Sequence, residues 1–147
     1  MSKKLKCYLA HPYNCKDSED KKKIMSILEE RRVDVLDPFL AEGNLLKKYG
    51  AKEYYSGPYH QKDAQYKLGR EIWINDLIRV RKCDMILAWL PYPSIGTAAE
   101  LFEAFIRGKF IQIISPMKHP LFAYVTCGGN QQFETVHDFD KLRKFRW

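Results

Sequence analysis

The order of apolar and polar residues alternates between two periods, that of a buried strand and that of an amphipathic helix. Five short runs predict strands, at Leu5–Ala10, Val33–Leu36, Met85–Leu90, Lys109–Ser115 and Phe133–Val136. The predicted helices run from a cap at Asp17 or Ser18 to Arg32, over Glu71–Val80, from Thr97 to Gly108, over Leu121–Val125 and over Asp138–Trp147. This alternation predicts an α/β fold, a doubly wound (flavodoxin/Rossmann-like) parallel sheet of about five strands with helices on both faces.

The predicted topology brings two loops together. In a flavodoxin-like order the first and third strands are neighbours where the strand order reverses, and open α/β sheets bind ligands in the crevice at that point. The loops that follow these strands are His11–Lys16 and Pro91–Gly96. We expect residues 1–147 to form one domain with its site between these loops. The first loop has no glycine and no Walker A sequence occurs, so no cofactor is predicted.

Two acids stand among apolar residues and are the candidates for chemistry. Glu100 lies early in the helix that starts at Thr97. It either completes a capping box with Thr97, which has the S/T-x-x-E spacing, or presents a carboxylate at the ligand end of a strand. Asp76 lies in the stripe formed by Trp73, Leu77 and Val80. A buried aspartate needs a partner, so Asp76 is either a structural acid or a site residue.

The stretch Phe39–Arg70 shows no clear periodicity and is rich in glycine and tyrosine. A segment of this length is often a lid or a binding loop. A packed surface excursion explains it equally well, and a helix around Leu45–Tyr49 fits part of it.

Composition limits the class of protein. Of the 147 residues, 46% are hydrophobic and 14% aromatic, which excludes a disordered chain. No apolar run approaches the roughly 18 residues of a membrane span, and no signal-peptide pattern occurs, so no membrane partner is predicted. The four cysteines are widely scattered, which predicts reduced thiols, no metal site and a cytoplasmic location.

The formal charge of +7 raises the question of nucleic acid. The lysines fall in short clusters, such as Lys21–Lys23 and the tail Lys141–Arg146, which we expect on solvated surfaces. No nucleic-acid-binding motif accompanies them, so nucleic acid is not the predicted partner. The charge instead favours small anionic molecules.

Three motifs now occur in a defined order: YLAHPY after the first strand begins, IWINDL before the third strand, and PSIGTAAELFEA after it. With CDMILAWL, they resemble the nucleoside 2-deoxyribosyltransferase family and the related 2′-deoxynucleoside 5′-monophosphate N-hydrolases. The resemblance runs from about Leu5 to Ser115. Each motif is weak by itself, but their order and spacing are specific.

The resemblance implies roles for residues at matching positions. Glu100 would attack the anomeric carbon of the sugar, and Asp76 would contact the base and protonate it as it leaves. The substrate pocket would be lined by Tyr8, Ala10, His11, Pro12 and Tyr13. Chemistry agrees, because an N-glycosidic bond breaks through an oxocarbenium-like state that a carboxylate stabilises and captures. His11 is equally open to a structural role.

One position separates the two branches of the resembled family. Deoxyribosyltransferases usually carry an aspartate six residues before the glutamate, whereas this chain has Ser94, as the related hydrolases do. A serine beside the helix amides near Gly96 suits a 5′-phosphate, which an aspartate would repel. However, the glycine- and arginine-bearing first loop of the hydrolases is replaced by HPYNCKD, where His11 or Lys16 would have to supply positive charge.

The sequence therefore predicts an enzyme that cleaves the N-glycosidic bond of a small deoxynucleoside or deoxynucleotide, leaning to the monophosphate hydrolase. Base-exchange transferase is the alternative, and a nucleotide-binding module with Glu100 as a mere cap is a second. The resemblance also implies a homo-oligomer, with the site completed by a neighbour's C-terminal segment near Asn130. Interface area is expected from the tyrosine-rich Tyr54–Tyr66 stretch.

Overall fold

A sheet of five parallel strands organises the described part of the chain, in the order β2-β1-β3-β4-β5. The structure is a computed structural model that describes residues 4–48, 63–126 and 131–142. The strands are β1 (Lys6–Ala10), β2 (Asp34–Leu36), β3 (Met85–Trp89), β4 (Phe110–Ile114) and β5 (Gln131–Phe133). The α/β class and the flavodoxin-like order are confirmed, and β1 and β3 are neighbours at the switch point.

Helices connect and flank the strands. They are α1 (Glu19–Glu30), α2 (Pro38–Lys48), α3 (Asp63–Lys82), α4 (Ile95–Ile106), α5 (Pro120–Val125) and α6 (Val136–Asp140), with one 3₁₀ turn at Tyr13–Cys15. Ser18 rather than Asp17 is the N-cap of α1, because its side chain accepts a hydrogen bond from the Lys21 amide. Gly108 follows α4 with φ of 62°, a left-handed conformation that glycine adopts without strain.

Three element predictions need correction. The stretch Phe39–Arg70 is helical where it is described, since it holds most of α2 and the start of α3. The last strand was expected at Phe133–Val136 but is Gln131–Phe133. Thr135 ends the strand pairing there because its side chain accepts from the Asp138 amide and so caps α6. The tail helix was expected over Asp138–Trp147, but α6 begins at Val136, after its Thr135 cap, and ends at Asp140. The turn at residues 128–130 and residues 143–147 lie outside the described residues.

The sheet is covered on both faces, which explains why β3 is apolar throughout. Met85, Leu87 and Trp89 face the core under α1 and α6. Ile86 and Ala88 face the second core, which Val80 of α3, Leu101 of α4 and Phe122 of α5 share. A strand buried on both faces shows no polar alternation.

The apolar stripe predicted on α3 is wrong in its orientation. Trp73 and Ile74 are exposed, whereas Asp76 and Val80 are buried. The inward face of α3 is thus occupied at one position by a carboxylate, and the large side chains of Trp73 and Ile74 just before it point to solvent. No helix within the described residues is long and apolar enough to span a membrane.

Candidate active site

Glu100 lies in the second turn of α4, close to the carboxyl ends of β1 and β3. The helix begins earlier than the sequence suggested, because Ser94 is its N-cap and accepts a hydrogen bond from the Thr97 amide. Glu100 is therefore too far along the helix for a capping box with Thr97, and that interpretation is wrong. Its side chain points inward instead, and its Oε1 accepts a 2.7 Å hydrogen bond from the Tyr8 hydroxyl of β1.

The Tyr8–Glu100 pair is deeply buried. Burial raises the pKa of Glu100 to about 8, while the Tyr8 hydrogen bond lowers it and the charge of Asp76 raises it further. Burial also raises the pKa of Tyr8 far above its usual value, and the negative charges of Glu100 and Asp76 add to the rise. Tyr8 therefore remains a neutral phenol that donates a hydrogen bond to the Glu100 carboxyl group.

Asp76 approaches the same pair from α3. The residue is 9% exposed, and its Oδ1 accepts a 2.8 Å hydrogen bond from Nη1 of Arg79. Burial raises the pKa of Asp76 to about 6, while the charge and hydrogen bond of Arg79 and the nearby Tyr8 hydroxyl lower it. Asp76 is close enough to the Tyr8–Glu100 pair for its charge to raise the pKa of both residues.

Sequence reasoning missed a third acid, Glu42 of α2. It is 8% exposed and forms no hydrogen bond or ion pair with the described residues. Burial raises the pKa of Glu42 to about 7, and the charge of Asp76 raises it further while Lys16 and Arg79 oppose the rise. A signal was present, since Glu42 is the first charged residue after the apolar opening of a helix at Pro38, which is the pattern that drew attention to Glu100.

The first loop packs as a structural unit. The His11 ring is buried, with its centroid 4.8 Å from that of Phe39, and its Nδ1 lies 3.0 Å from the Pro12 carbonyl oxygen. The Tyr13 ring also contacts Phe39, and its hydroxyl accepts a 2.9 Å hydrogen bond from Nζ of Lys16. Ala10 and Pro12 are buried where β1 passes into this loop. The structure thus places His11 in the packing of the loop rather than against Glu100.

A buried ion pair fixes the base of this loop. Lys21 was expected on a solvated surface but is buried, and its Nζ contacts Oδ2 of Asp37. His11 Nε2 lies 3.7 Å from Oδ1 of the same carboxylate. Burial by itself would raise the pKa of Asp37, but the nearby His11 ring and the Lys21 ammonium outweigh it and hold the pKa below its usual range.

Replacing Lys21 by methionine is expected to lower the free energy of unfolding by about 3–5 kcal/mol, because the Asp37 carboxylate would remain buried without its cation. Denaturant unfolding measures the change. Lys22→Met is the matched control, since the neighbouring Lys22 pairs with Glu19 on an exposed surface. Equal stability of the two variants would contradict a structural role for the Lys21–Asp37 pair.

The start of α4 offers open space beside the site. Ser94 is half-buried, and its hydroxyl lies 3.4 Å from the Thr97 amide nitrogen. A Cβ placed on Gly96 would meet no protein atom within 4 Å, so the first helical turn is uncovered there. Asn130, the remaining predicted site residue, lies outside the described residues.

The arrangement suits proton transfer and nucleophilic attack more than metal binding. Three buried carboxyl groups with raised pKa values, those of Glu42, Asp76 and Glu100, come from three different helices. Perturbed acids concentrated at the ligand end of an α/β sheet are typical of an active site. Among the described residues, no cluster of histidine, cysteine or acidic side chains is placed to hold a metal ion.

Comparisons with known proteins find the same architecture. The chain is similar to a 2-deoxyribosyltransferase from the psychrotolerant bacterium Bacillus psychrosaccharolyticus, with a TM-score of 0.62 and 21% identity over 92% of this chain and 90% of that one. It is also similar to a CMP N-glycosidase, BcmB, from Clostridium botulinum, with a TM-score of 0.54 and 19% identity over 92% of this chain and 95% of that one. No protein-family model matches the chain, and no curated sequence does. At these identities the similarity establishes the shared fold.

Proposed function

We propose that this protein is an enzyme of the nucleoside 2-deoxyribosyltransferase family that cleaves the N-glycosidic bond of 2′-deoxynucleotides or 2′-deoxynucleosides. The observation that carries the proposal is the buried Glu100 carboxyl, held by the Tyr8 hydroxyl at 2.7 Å and electrostatically coupled to Asp76. The shared fold supports it, because the two similar structures are a 2-deoxyribosyltransferase and a CMP N-glycosidase.

In the proposed reaction Glu100 is the nucleophile. Its ionised oxygen forms a bond to C1′ of the sugar while the bond between C1′ and the base nitrogen breaks, and that bond's electron pair leaves with the base. Asp76 gives its proton to the departing base, which would otherwise leave as an anion. The product of this step is a deoxyribosyl ester on Glu100 together with the free base.

The second step resolves the ester. A water molecule attacks C1′, the ionised Asp76 takes one of its protons, and Glu100 is released as a carboxylate. If a second base attacks in place of water, the same chemistry becomes base exchange. The first step is common to both outcomes, so the residues of the site serve a hydrolase and a transferase equally.

We infer that water is the usual acceptor and that 5′-monophosphates are the better substrates. Ser94 caps the uncovered first turn of α4, where amide groups and the helix dipole favour an anion. A serine hydroxyl donates to a phosphate oxygen, whereas an aspartate at this position would repel it. Contacts to a remote phosphate also supply binding energy that is used at the reacting carbon.

Release of free base from matched deoxynucleosides and 5′-monophosphates tests this proposal. Ser94→Asp is expected to depress activity on monophosphates much more than on nucleosides, since aspartate retains the helix cap and adds only the charge. Ser18→Asp, which makes the same change at the N-cap of α1, is the control and should alter neither activity.

The outcomes separate the candidate functions. Faster base exchange between nucleosides than hydrolysis of any monophosphate would identify a deoxyribosyltransferase. The absence of base release from every substrate, in a folded protein that still binds nucleotides, would identify a binding module and overturn the enzymatic proposal.

We also propose that the protein is a homo-oligomer. Several large apolar side chains are exposed on helices α3, α4 and α5, which cover one face of the sheet: Trp73, Ile74, Phe102, Ile106 and Tyr124. Exposed apolar surface of this kind is typical of subunit interfaces. The tyrosine-rich stretch and Asn130, named above for the same role, lie outside the described residues.

Light scattering tests the assembly. We expect the mass of a dimer or larger assembly, and a shift to the monomer in Phe102→Glu. Leu40→Glu, at an exposed apolar residue of α2, is the control and should leave the mass unchanged. A wild-type protein that is a fully active monomer would exclude the oligomer.

A further inference from the structure

Arg79 lies one turn after Asp76 on α3 and is the cation that contacts it among the described residues. Its Nη1 is 2.8 Å from Oδ1 of Asp76, and the two side chains are 24% and 13% exposed. The other basic residues at this end of α3, Arg81 and Lys82, are exposed. The Arg79–Asp76 pair is thus turned toward the site, while its basic neighbours face solvent.

We propose that Arg79 is a positioning residue, which holds the Asp76 carboxyl in one orientation and sets how readily it gives up its proton. The role of Asp76 as proton donor rests on the function proposed above. The hydrogen bond between Arg79 and Asp76 forms in the protein without substrate.

The geometry supports positioning. An aspartate has two rotatable bonds, and the i,i+3 spacing on a helix lets the longer arginine side chain reach back to it. Arg79 holds Oδ1. The Tyr8 hydroxyl of β1 donates its hydrogen bond to Glu100 and lies close enough to lower the pKa of Asp76. The Asp76 carboxyl is therefore oriented from its own helix, as a group that must meet a departing base requires.

The charges around Asp76 explain why a cation is needed there. The groups that act on it are Tyr8 from β1, Glu100 from α4, Glu42 from α2 and Arg79 from its own helix. Two of the four, Glu100 and Glu42, are carboxyl groups, and ionising Asp76 beside them is costly in a buried site. Arg79 opposes the rise in the pKa of Asp76 and, through its field, that of Glu42. Arg79 thus offsets part of the negative charge that the neighbouring carboxyl groups bring to the site.

The direct test is the titration of the Asp76 carboxyl carbon by NMR in protein labelled with ¹³C-aspartate, with Asp76→Asn identifying the signal. In Arg79→Met the pKa of Asp76 is expected to rise by about 1 unit or more, because the attraction and hydrogen bond of the guanidinium are lost. Arg79→Lys should recover much of the difference. Arg81→Met, which loses a surface pair with Glu103, is the control and should leave the titration unchanged.

Turnover gives the second readout. Loss of orientation in Arg79→Met should lower kcat/KM by about 10²-fold. The pH–rate profile should shift toward higher pH, since the pKa of Asp76 is raised and the two limbs belong to the coupled Asp76–Glu100 pair. Arg79→Lys should restore most of the rate.

The outcomes are separable. An Asp76 titration that is the same in wild type, Arg79→Met and Arg79→Gln would overturn the inference, and the glutamine variant keeps the test open should the methionine variant not fold. If the titration shifts but the protein releases no base, Arg79 is still the residue that sets the pKa of Asp76. That result would count only against the proposed function.

Discussion

Glu100→Gln is expected to lower the rate of base release by about 10³-fold or more while the protein remains folded, because the variant has neither a nucleophile nor a negative charge at the oxocarbenium-like centre. Glutamine retains the volume of the side chain and an oxygen that accepts from the Tyr8 hydroxyl. Steady-state base release and circular dichroism measure the two quantities. Glu103→Gln, one turn further along α4 where the carboxylate pairs with Arg81 and Arg107, is the control.

The same variant should be more stable than the wild type at neutral pH. The pKa of Glu100 rises on folding from 4.5 to about 8, so between these pH values the folded protein binds a proton that the unfolded chain has released. Stability therefore falls as pH rises through this window, and a residue that cannot ionise avoids the loss. The loss of melting temperature between pH 5 and pH 8 should be smaller for Glu100→Gln than for the wild type, and the raised pKa values of Glu42 and Asp76 account for the loss that remains.

A Glu100→Gln protein with near-wild-type turnover would show that Glu100 is not the nucleophile. A stability that falls equally with pH in both proteins would show that its carboxyl is ionised without cost. Greater stability together with lost activity is typical of an active-site residue, which is retained for function although it lowers the free energy of unfolding.

The strand order was predictable because it depends on local pattern. Each of the first four strands is a short apolar run followed by a loop, and crossover rules leave few ways to connect them. The start of α4 was less predictable, since Ser94 and Thr97 are both good capping residues. Thr97 is buried, and the Ser94 side chain receives the amide hydrogen bond. Because the N-cap is Ser94, three residues before Thr97, Glu100 is an inward-facing acid and not part of the cap.

Long-range pairing explains what sequence reasoning missed. Lys21 lies in a run of three lysines, and only its contact with Asp37, which follows β2, distinguishes it from a surface residue. Glu42 is hidden for a different reason, because its helix lies in a stretch without clear periodicity. The charge that raises the pKa of Glu42 belongs to Asp76, which is more than thirty residues away in the chain. Such contacts are created by the fold, and no local spacing encodes them.

Asp76→Asn is expected to lower kcat by about 10²–10⁴-fold, the usual contribution of a general acid, because asparagine has no proton to give to the departing base. The loss should be greatest for the base whose departing nitrogen is most basic, so that purine and pyrimidine substrates are affected unequally. Asparagine has nearly the volume of aspartate and can still accept from Arg79, so the fold should be retained.

The pH dependence distinguishes this role from a merely structural one. In the proposed mechanism, activity requires an ionised Glu100 and a protonated Asp76, yet burial gives Glu100 the higher pKa, about 8 against about 6. The two limbs of a bell-shaped profile then belong to the coupled pair rather than to either residue. In Asp76→Asn the alkaline limb should vanish. The one limb that remains should report Glu100 alone, and its pKa should lie below the wild-type value of about 8, because the Asp76 charge that raises it is gone. An unchanged profile at a reduced rate would mean that Asp76 only supports the site, and the proton for the leaving base would then have to come from Glu42 or from water.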